Sequence, residues 1–206
     1  MKITVFGATG GTGIELVRQA HDAGHAVTVV VRSTAGFPAG VEVLRADVMD
    51  PVAIEPAVAG RDAIISAIGH RPGHDEPVCA PAASSICRAM AAAGTRRLVV
   101  ITAAGHVTDP HDDFVTAKIA KPVLWRFLRP SFTDFIATEK VVTASGLDWT
   151  IMRPPRLTKG GHKPYRTAID HVVRRGGTIS RADLATATLA AALDPATAGH
   201  AVGVAY

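Results

Sequence analysis

The sequence predicts an α/β fold in which a doubly wound parallel sheet carries helices on both faces, with a small C-terminal extension on the substrate side. Two observations lead to this prediction. Short apolar runs of strand length alternate with helical patterns along most of the 206 residues. The first of these runs also leads through a glycine-rich turn directly into a helix. Such alternation is typical of βαβ units, whose strands form a parallel sheet.

The individual elements follow from apolar periodicity and from the residues that end each run. The predicted strands are Lys2–Phe6, Ala26–Val31, Val41–Arg45, Asp62–Ile68, Arg97–Thr102, Asp148–Met152, Thr178–Ser180 and Ala201–Ala205. The predicted helices are one from Ile14 and those at Pro51–Val58, Ala80–Ala93, Ala117–Arg129, Thr133–Ser145 and Arg181–Leu193, with stops at Gly94 and Gly146. No long linker divides them, so we expect one domain over residues 1–206 with a core to about residue 150 and the extension over 151–206.

The glycine-rich turn reads Gly7-Ala-Thr-Gly-Gly-Thr-Gly13, with the spacing Gly-x-x-Gly-x-x-Gly. This is one residue wider at its start than the dinucleotide fingerprint Gly-x-Gly-x-x-Gly, but it lies at the first strand-to-helix junction, where that fingerprint belongs. Glycines let the backbone approach a pyrophosphate, and the helix start offers unpaired N–H groups. The turn therefore predicts a Rossmann-type site for a nicotinamide dinucleotide, rather than an ordinary glycine-rich turn. Its residues are Gly7, Thr9, Gly10, Gly11, Thr12 and Gly13.

The end of the second predicted strand indicates which nicotinamide cofactor binds. An acidic residue at this point holds the ribose of NAD, whereas a basic residue accommodates the 2′-phosphate of NADP. Here the strand ends in Arg32 and Ser33, which favours NADP(H) over NAD(H), although Arg32 could also be a solvated strand-end charge. Asp47 and Val48 follow the third strand. We expect Asp47 to accept a hydrogen bond from the adenine amino group, with a helix N-cap as the competing interpretation.

Ligands of doubly wound sheets bind outside the carboxyl ends of the strands. The residues that follow the later strands are therefore further candidates for the cofactor site. They are Ala67, Ile68 and Gly69 after the fourth strand, Thr102 and Ala103 after the fifth, and Pro154, Pro155 and Arg156 after the sixth. Thr102 is the only one with a neutral hydroxyl, so it is also the candidate catalytic residue.

Several of these segments resemble the atypical short-chain dehydrogenase/reductases. The resemblance rests on the glycine turn, Arg32-Ser33, Ala46-Asp47-Val48 and the segment from Glu139 to Pro154. Within that group the chain is most similar to the small NAD(P)H-binding reductases related to biliverdin-IXβ reductase, also called flavin reductase. Relatives with a Tyr-x-x-x-Lys pair carry it on the helix of Glu139, and in that frame this chain has Ser131 and Phe135. It also has Ala103 where the subgroup has a serine.

The resemblance implies an NADPH-dependent reductase that transfers hydride to a conjugated acceptor such as a flavin, a quinone or a bilin-like molecule. Such an acceptor delocalises the negative charge, so solvent can supply the proton and a strong local acid is less necessary. The missing tyrosine and lysine argue against alcohol dehydrogenation and against an isomerase, epimerase or dehydratase. They are compatible with the alternative function, a non-enzymatic NADP(H)-sensing regulatory protein.

The charge distribution adds an expectation about the acceptor. Between Arg153 and Arg181 the chain has eight basic residues and one acid, Asp170, an excess of seven in a chain whose net charge is +4. This segment would attract an anionic small molecule, or it forms a solvated basic face. Few aromatic residues are interleaved with the charges, so no nucleic-acid partner is expected. The sequence contains no signal peptide or membrane span, which favours a cytoplasmic protein without a membrane partner, and it leaves the oligomeric state open.

A metal site is not expected. His70 and His74 are four residues apart, but Arg71-Pro72-Gly73 between them excludes a regular helix. His106 and His111 are interpreted as loop histidines near the cofactor, although His70 or His106 could contact the substrate or donate a proton. The two cysteines, Cys79 and Cys87, are expected to be ordinary thiols.

Overall fold

The computed structural model describes residues 1–33, 36–70, 76–110, 119 and 121–206. Its strands are β1 (Lys2–Phe6), β2 (Ala26–Val31), β3 (Glu42–Arg45), β4 (Ala63–Ser66), β5 (Arg97–Ile101), β6 (Asp148–Arg153), β7 (Arg156–Thr158), β8 (Arg166–Ile169), β9 (Thr178–Ser180) and β10 (His200–Ala205). Its α-helices are α1 (Gly11–Asp22), α2 (Pro51–Val58), α3 (Cys79–Ala93), α4 (Lys121–Thr143) and α5 (Arg181–Leu193), with a 3₁₀ turn at Pro195–Thr197.

Eight of these strands form the central sheet, in the order β3-β2-β1-β4-β5-β6-β10-β8. All neighbours are parallel except β8, which pairs antiparallel with β10 at one edge. β7 and β9 form a separate parallel pair. The strand order reverses between β1 and β4, and the crevice at such a reversal is where doubly wound sheets bind their ligands. The fold class predicted from the sequence is confirmed.

Each face of the sheet has its own hydrophobic core. One core includes Leu16 and Val17 of α1 and Leu184 of α5, and the other includes Ile54 of α2 and Ile86 of α3, all at most 1% exposed. Each such side chain contributes about 2 kcal/mol by leaving water. None of the described helices has both the length and the apolar character needed to cross a membrane.

Several element boundaries differ from the prediction. β4 ends at Ser66, so the segment from Ala67 lies in a loop. The two short strands β7 and β8 were not predicted. The two helices predicted around Pro130 form one run that is broken at Leu128 (φ −111°, ψ 16°). Pro130 has no backbone N–H to donate, and its ring clashes with the preceding turn of the helix, which explains this kink. The predicted helix start at 117–118 lies outside the described residues.

Candidate nucleotide-binding site

The glycine turn joins β1 to α1 at the carboxyl edge of the sheet. Gly7 adopts φ +74°, and a Cβ at this position would lie 2.6 Å from the backbone carbon and oxygen of Ala67. A Cβ on Gly13 would lie 2.1 Å from the Gly7 carbonyl oxygen. The Gly10 N–H donates to the same oxygen at 3.0 Å. Gly7 and Gly13 are thus required by backbone packing, which draws the turn tightly against the end of β4.

The start of α1 leaves its first backbone N–H groups available. Gly10 is the N-cap, and no side chain makes a capping hydrogen bond there. Thr9, Gly10 and Gly11 are exposed, whereas Thr12 and Gly13 are buried. An uncapped helix start with exposed glycine backbone favours a bound anion, because its N–H groups and the helix dipole both attract negative charge. The geometry of the turn therefore fits a pyrophosphate.

The other predicted site residues follow the neighbouring strands along the same edge. Two backbone hydrogen bonds hold the segments after β5 and β6 together: Thr102 N–H donates to Met152 oxygen at 2.9 Å, and Ala104 N–H donates to Pro154 oxygen at 2.8 Å. The residues placed at this edge are Ala67, Ile68 and Gly69 after β4, Thr102 and Ala103 after β5, and Pro154 and Pro155 after β6. Arg156 begins β7 and is exposed. Their contact with a cofactor stays a prediction.

A cavity of about 560 Å³ lies at the ends of β2 and β3, lined by Arg32, Arg45, Ala46 and Asp47. Val31 and Arg45 are paired across the two strands, so Arg32 and Arg45 lie at the same end of the sheet. Neither arginine has an ion pair among the described residues. Sequence reasoning missed Arg45, although its place at the last position of a strand next to β2 was a signal that could have found it. Ser33, the residue after Arg32, is exposed, and Val48 packs against the core.

Asp47 is not the N-cap of α2. That cap is Asp50, whose side chain accepts from the N–H groups of Val52 and Ala53. Asp47 Oδ1 instead accepts from the Met49 N–H at 3.0 Å. The N-cap interpretation of Asp47 was therefore wrong, since the cap lies three residues later. Both aspartates precede the helix in the sequence, and only the backbone conformation shows that Asp50 is the cap. The adenine contact of Asp47 stays a prediction.

A partly buried ionic cluster connects α4 to the ends of β5 and β6. Glu139 accepts from Thr102 Oγ1 at 2.8 Å, and from Arg153 Nε at 3.0 Å and Nη2 at 2.6 Å. Burial raises the pKa of Glu139, but nearby His106 and the hydrogen bonds and charge of Arg153 outweigh it and lower the pKa to about 2. The carboxylate is therefore ionised at neutral pH. Because the Thr102 hydroxyl donates to it, the threonine oxygen is left to accept hydrogen bonds from other groups.

Comparison with known proteins identifies the family. A family model described as NAD(P)H-binding matches residues 7–195. The chain belongs to the NAD(P)H-binding family. The match begins at the glycine turn and extends through α5, so it includes every predicted site residue.

Two related sequences are described as uncharacterized proteins. This NAD(P)H-binding protein is 26% identical to the uncharacterized protein YwnB of Bacillus subtilis over 92% of this chain and 91% of the relative. It is 31% identical to an uncharacterized protein of Mycobacterium tuberculosis, over 52% of this chain. That match spans only 12% of the Mycobacterium protein.

Solved structures share the whole fold. A protein of Burkholderia pseudomallei, provisionally described as exported, superimposes with a TM-score of 0.83 at 27% identity over the full length of both chains. A protein of Streptococcus pneumoniae provisionally described as an NADH-flavin reductase has a TM-score of 0.83 at 21% identity, over 100% of this chain and 99% of that one. A Veillonella parvula short-chain dehydrogenase/reductase in complex with NADP has a TM-score of 0.80 at 20% identity, over 100% and 94%.

Two histidines of the NAD(P)H-binding protein, His70 and His106, pack near Phe135. The Phe135 ring centroid lies 5.8 Å from that of His70 and 6.2 Å from that of His106. His106 is buried, and its Nε2 lies 3.2 Å from Glu139 Oε1 without the alignment of a hydrogen bond. Neither ring nitrogen of His106 has a hydrogen-bond partner within the described part of the chain. Phe135, predicted to lie where relatives have the lysine, is thus a neighbour of both histidines.

His70, Cys79 and Asp134 also come together, with ligand atoms within 4.8 Å of one another. Asp134 is already engaged, because it accepts from the backbone N–H groups of Val78, Cys79 and Ala80 at 2.7–2.9 Å. Burial, followed by the charge of Asp134, raises the pKa of the Cys79 thiol well above its usual range. A neutral thiol and a carboxylate that caps α3 make a poor cation site. His74 and His111 lie outside the described residues.

The basic segment does not present all of its charges to solvent. Arg153 is neutralised by Glu139. Arg166 is exposed but lies in the edge strand β8, where it donates to the carbonyl oxygens of Arg174 and Tyr206. Arg156 and Lys159 are exposed just beyond β6. A ligand at the carboxyl edge would therefore meet fewer positive charges than the net excess of seven counted in the sequence.

Proposed function

We propose that this NAD(P)H-binding protein is an NADPH-dependent reductase that transfers hydride to a conjugated acceptor, such as a flavin, a quinone or a bilin-like molecule. The observation that carries the proposal is the polar cluster at the ends of β5 and β6. Thr102 and Arg153 are committed to Glu139, and the nitrogens of His106 are buried. Among the described residues at this edge, none presents an acid of the kind that alcohol or carbonyl chemistry needs.

The side chains of this edge suit an acceptor that needs no local acid. When bound, a reduced nicotinamide cofactor supplies the hydride. Ser131 and Phe135 occupy the positions that resemble those of the tyrosine and lysine in related enzymes, and Ala103 brings no hydroxyl. An extended ring system spreads the negative charge that it gains, so water can deliver the proton afterwards. The protein then contributes mainly orientation of the two partners.

Thr102 has a positioning role in this proposal. Its single hydroxyl hydrogen points to the ionised Glu139 carboxylate, so it does not donate to a substrate. Its oxygen can still accept a hydrogen bond from a ribose hydroxyl or a carboxamide N–H of the cofactor. The proposal thus narrows the sequence prediction, which named Thr102 as the candidate catalytic residue without assigning it a step.

The preference for NADPH over NADH rests on the cavity of Arg32 and Arg45. Two guanidinium groups without carboxylate partners among the described residues can bind a phosphate on two sides, with charge-assisted hydrogen bonds that are stronger than neutral ones. Replacing either with alanine should weaken NADPH binding by about tenfold or more and leave NADH binding nearly unchanged. If the binding of both cofactors were weakened equally, these arginines would not be the groups that recognise the 2′-phosphate.

An anionic acceptor is favoured by Arg156 and Lys159, which are exposed where the chain leaves the sheet after β6. Their attraction should weaken as salt rises, because exposed charges are screened. We therefore expect a phosphorylated flavin to be reduced faster than the same flavin without its phosphate, with the difference shrinking at high salt.

The experiment is to mix the purified protein with NADPH and a panel of flavins and quinones and to follow the nicotinamide absorbance. NADPH binding is measured in parallel by titration. We expect oxidation above the protein-free background with at least one acceptor. Measurable NADPH binding without oxidation by any acceptor would refute the reductase proposal and favour a dinucleotide-sensing regulator.

A further inference from the structure

Arg181, the first residue of α5, lies across the glycine turn. A Cβ built on Gly11 would lie 2.7 Å from Arg181 Cδ and 2.8 Å from its Nε. The guanidinium Nη1 donates to the Thr158 carbonyl oxygen at 3.3 Å. The side chain therefore reaches from the C-terminal extension over the first residue of α1, where the turn exposes its backbone N–H groups.

Side-chain hydrogen bonds fix α5 against α1 and hold Arg181 in this place. Gln19 Nε2 donates to the Ala182 carbonyl oxygen at 2.9 Å, and Thr186 Oγ1 donates to Gln19 Oε1 at 2.9 Å. Ala182 is the residue next to Arg181. The position of the arginine over the turn is thus set by the packing of two helices rather than by an isolated surface conformation.

Two helix N-termini lie close to Arg181. It lies at the N-terminus of α5 and against the N-terminus of α1, and both helix ends carry partial positive charge. Among the described residues, no carboxylate pairs with it. Asp183, two residues further on, accepts instead from Ser180, from the Tyr206 hydroxyl and from the Lys163 N–H. A negatively charged group at this point would neutralise the guanidinium and satisfy the helix N–H groups together.

We propose that Arg181 is a ligand of the cofactor pyrophosphate and closes the glycine turn from the side of the C-terminal extension. The inference rests on the proposed function only in placing the dinucleotide on this turn. It assigns to Arg181 a contact that NADPH and NADH share, since both contain the pyrophosphate. The contact proposed for Arg32 and Arg45 is instead made to NADPH alone, because only NADPH has a 2′-phosphate.

The test compares the affinities of Arg181→Gln and the unaltered protein for NADPH, NADH and 2′-AMP by calorimetric or fluorescence titration. We expect both dinucleotides to bind about tenfold more weakly, by the same factor, because a charge-assisted hydrogen bond is lost. The affinity for 2′-AMP, which lacks a pyrophosphate, should not change. Arg181→Lys should recover part of the loss, since it retains the charge without the fork of donors.

Arg88→Gln is the matched control, since Arg88 is exposed on α3 and its replacement changes the net charge equally. Thermal unfolding shows whether each variant is folded. Unchanged affinity of folded Arg181→Gln for both dinucleotides would overturn the inference, and so would a loss confined to NADPH. Failure of the unaltered protein to bind either dinucleotide would instead refute the proposed function.

Discussion

Replacing Glu139 with glutamine should destabilise the fold by an amount that depends on pH. Despite burial, which raises the pKa of Glu139, His106 and Arg153 lower it from 4.5 to about 2. A pKa difference of one corresponds to about 1.4 kcal/mol, so the ionised carboxylate contributes about 3 kcal/mol to the free energy of unfolding. Because the folded pKa is depressed, this contribution is complete above pH 4.5 and is lost as the pH falls through about 2. About 1.5 kcal/mol remains at pH 3.

Urea unfolding at pH 7 and pH 3 measures this effect in the unaltered protein and in Glu139→Gln. The difference in unfolding free energy should be about 3 kcal/mol at pH 7 and about half of that at pH 3. Glu15→Gln is the control, because Glu15 pairs with the exposed Arg18 on the surface of α1 and should contribute less than about 1 kcal/mol. A difference for Glu139→Gln that is the same at both pH values would show that its ionised form is not the source.

Three further predictions concern packing and reactivity. Gly13→Ala places a methyl carbon 2.1 Å from the Gly7 carbonyl oxygen. It should lower the free energy of unfolding by about 2 kcal/mol or more and abolish NADPH binding in titrations. The control Gly177→Ala, with open space around it, should do neither. Asp134→Ala leaves three N–H groups at the start of α3 unpaired and should cost about 3 kcal/mol in urea unfolding; a loss below about 1 kcal/mol would contradict the capping role. Burial raises the pKa of the Cys79 thiol, so a thiol reagent at neutral pH should modify it far more slowly in the native than in the urea-unfolded protein, and equal rates would count against this.

Most strands of the sheet were predictable because each is marked by a local sequence pattern. The runs that form β1, β2 and β5 are apolar and bounded by turn residues, and such strands need little information from elsewhere in the chain. β8 (Arg166–Ile169) was missed because it is short, begins with a charge and lies mostly exposed at the edge. Its pairing with β10 depends on contacts such as the Asp170 carboxylate accepting from the Ala201 N–H at 3.0 Å, and no local pattern indicates such a partner.

The residues of the candidate site likewise differ in whether a local sequence pattern predicts them. The glycine turn and Arg32 follow from local spacing. The Thr102–Glu139–Arg153 cluster instead joins residues that are 37 and 14 positions apart in the chain. The hydroxyl of Thr102 suggests a donor when only its residue type is considered. Its bond to an ionised carboxylate makes it an acceptor, so its chemistry depends on a partner that only the fold provides. Arg181 was missed for the same reason, because its contact with Gly11 joins distant parts of the chain.

The cap that Asp134 provides for α3 has a consequence for the order in which the chain acquires its structure. Val78, at the N-cap position of α3, makes no side-chain capping bond of its own. The carboxylate that satisfies the first N–H groups of this helix belongs to a residue 54–56 positions later in the chain. During synthesis, α3 emerges well before α4, and an uncapped first turn frays. We therefore expect the start of α3 to remain frayed in the growing polypeptide until α4 docks, so that the two helices become ordered together.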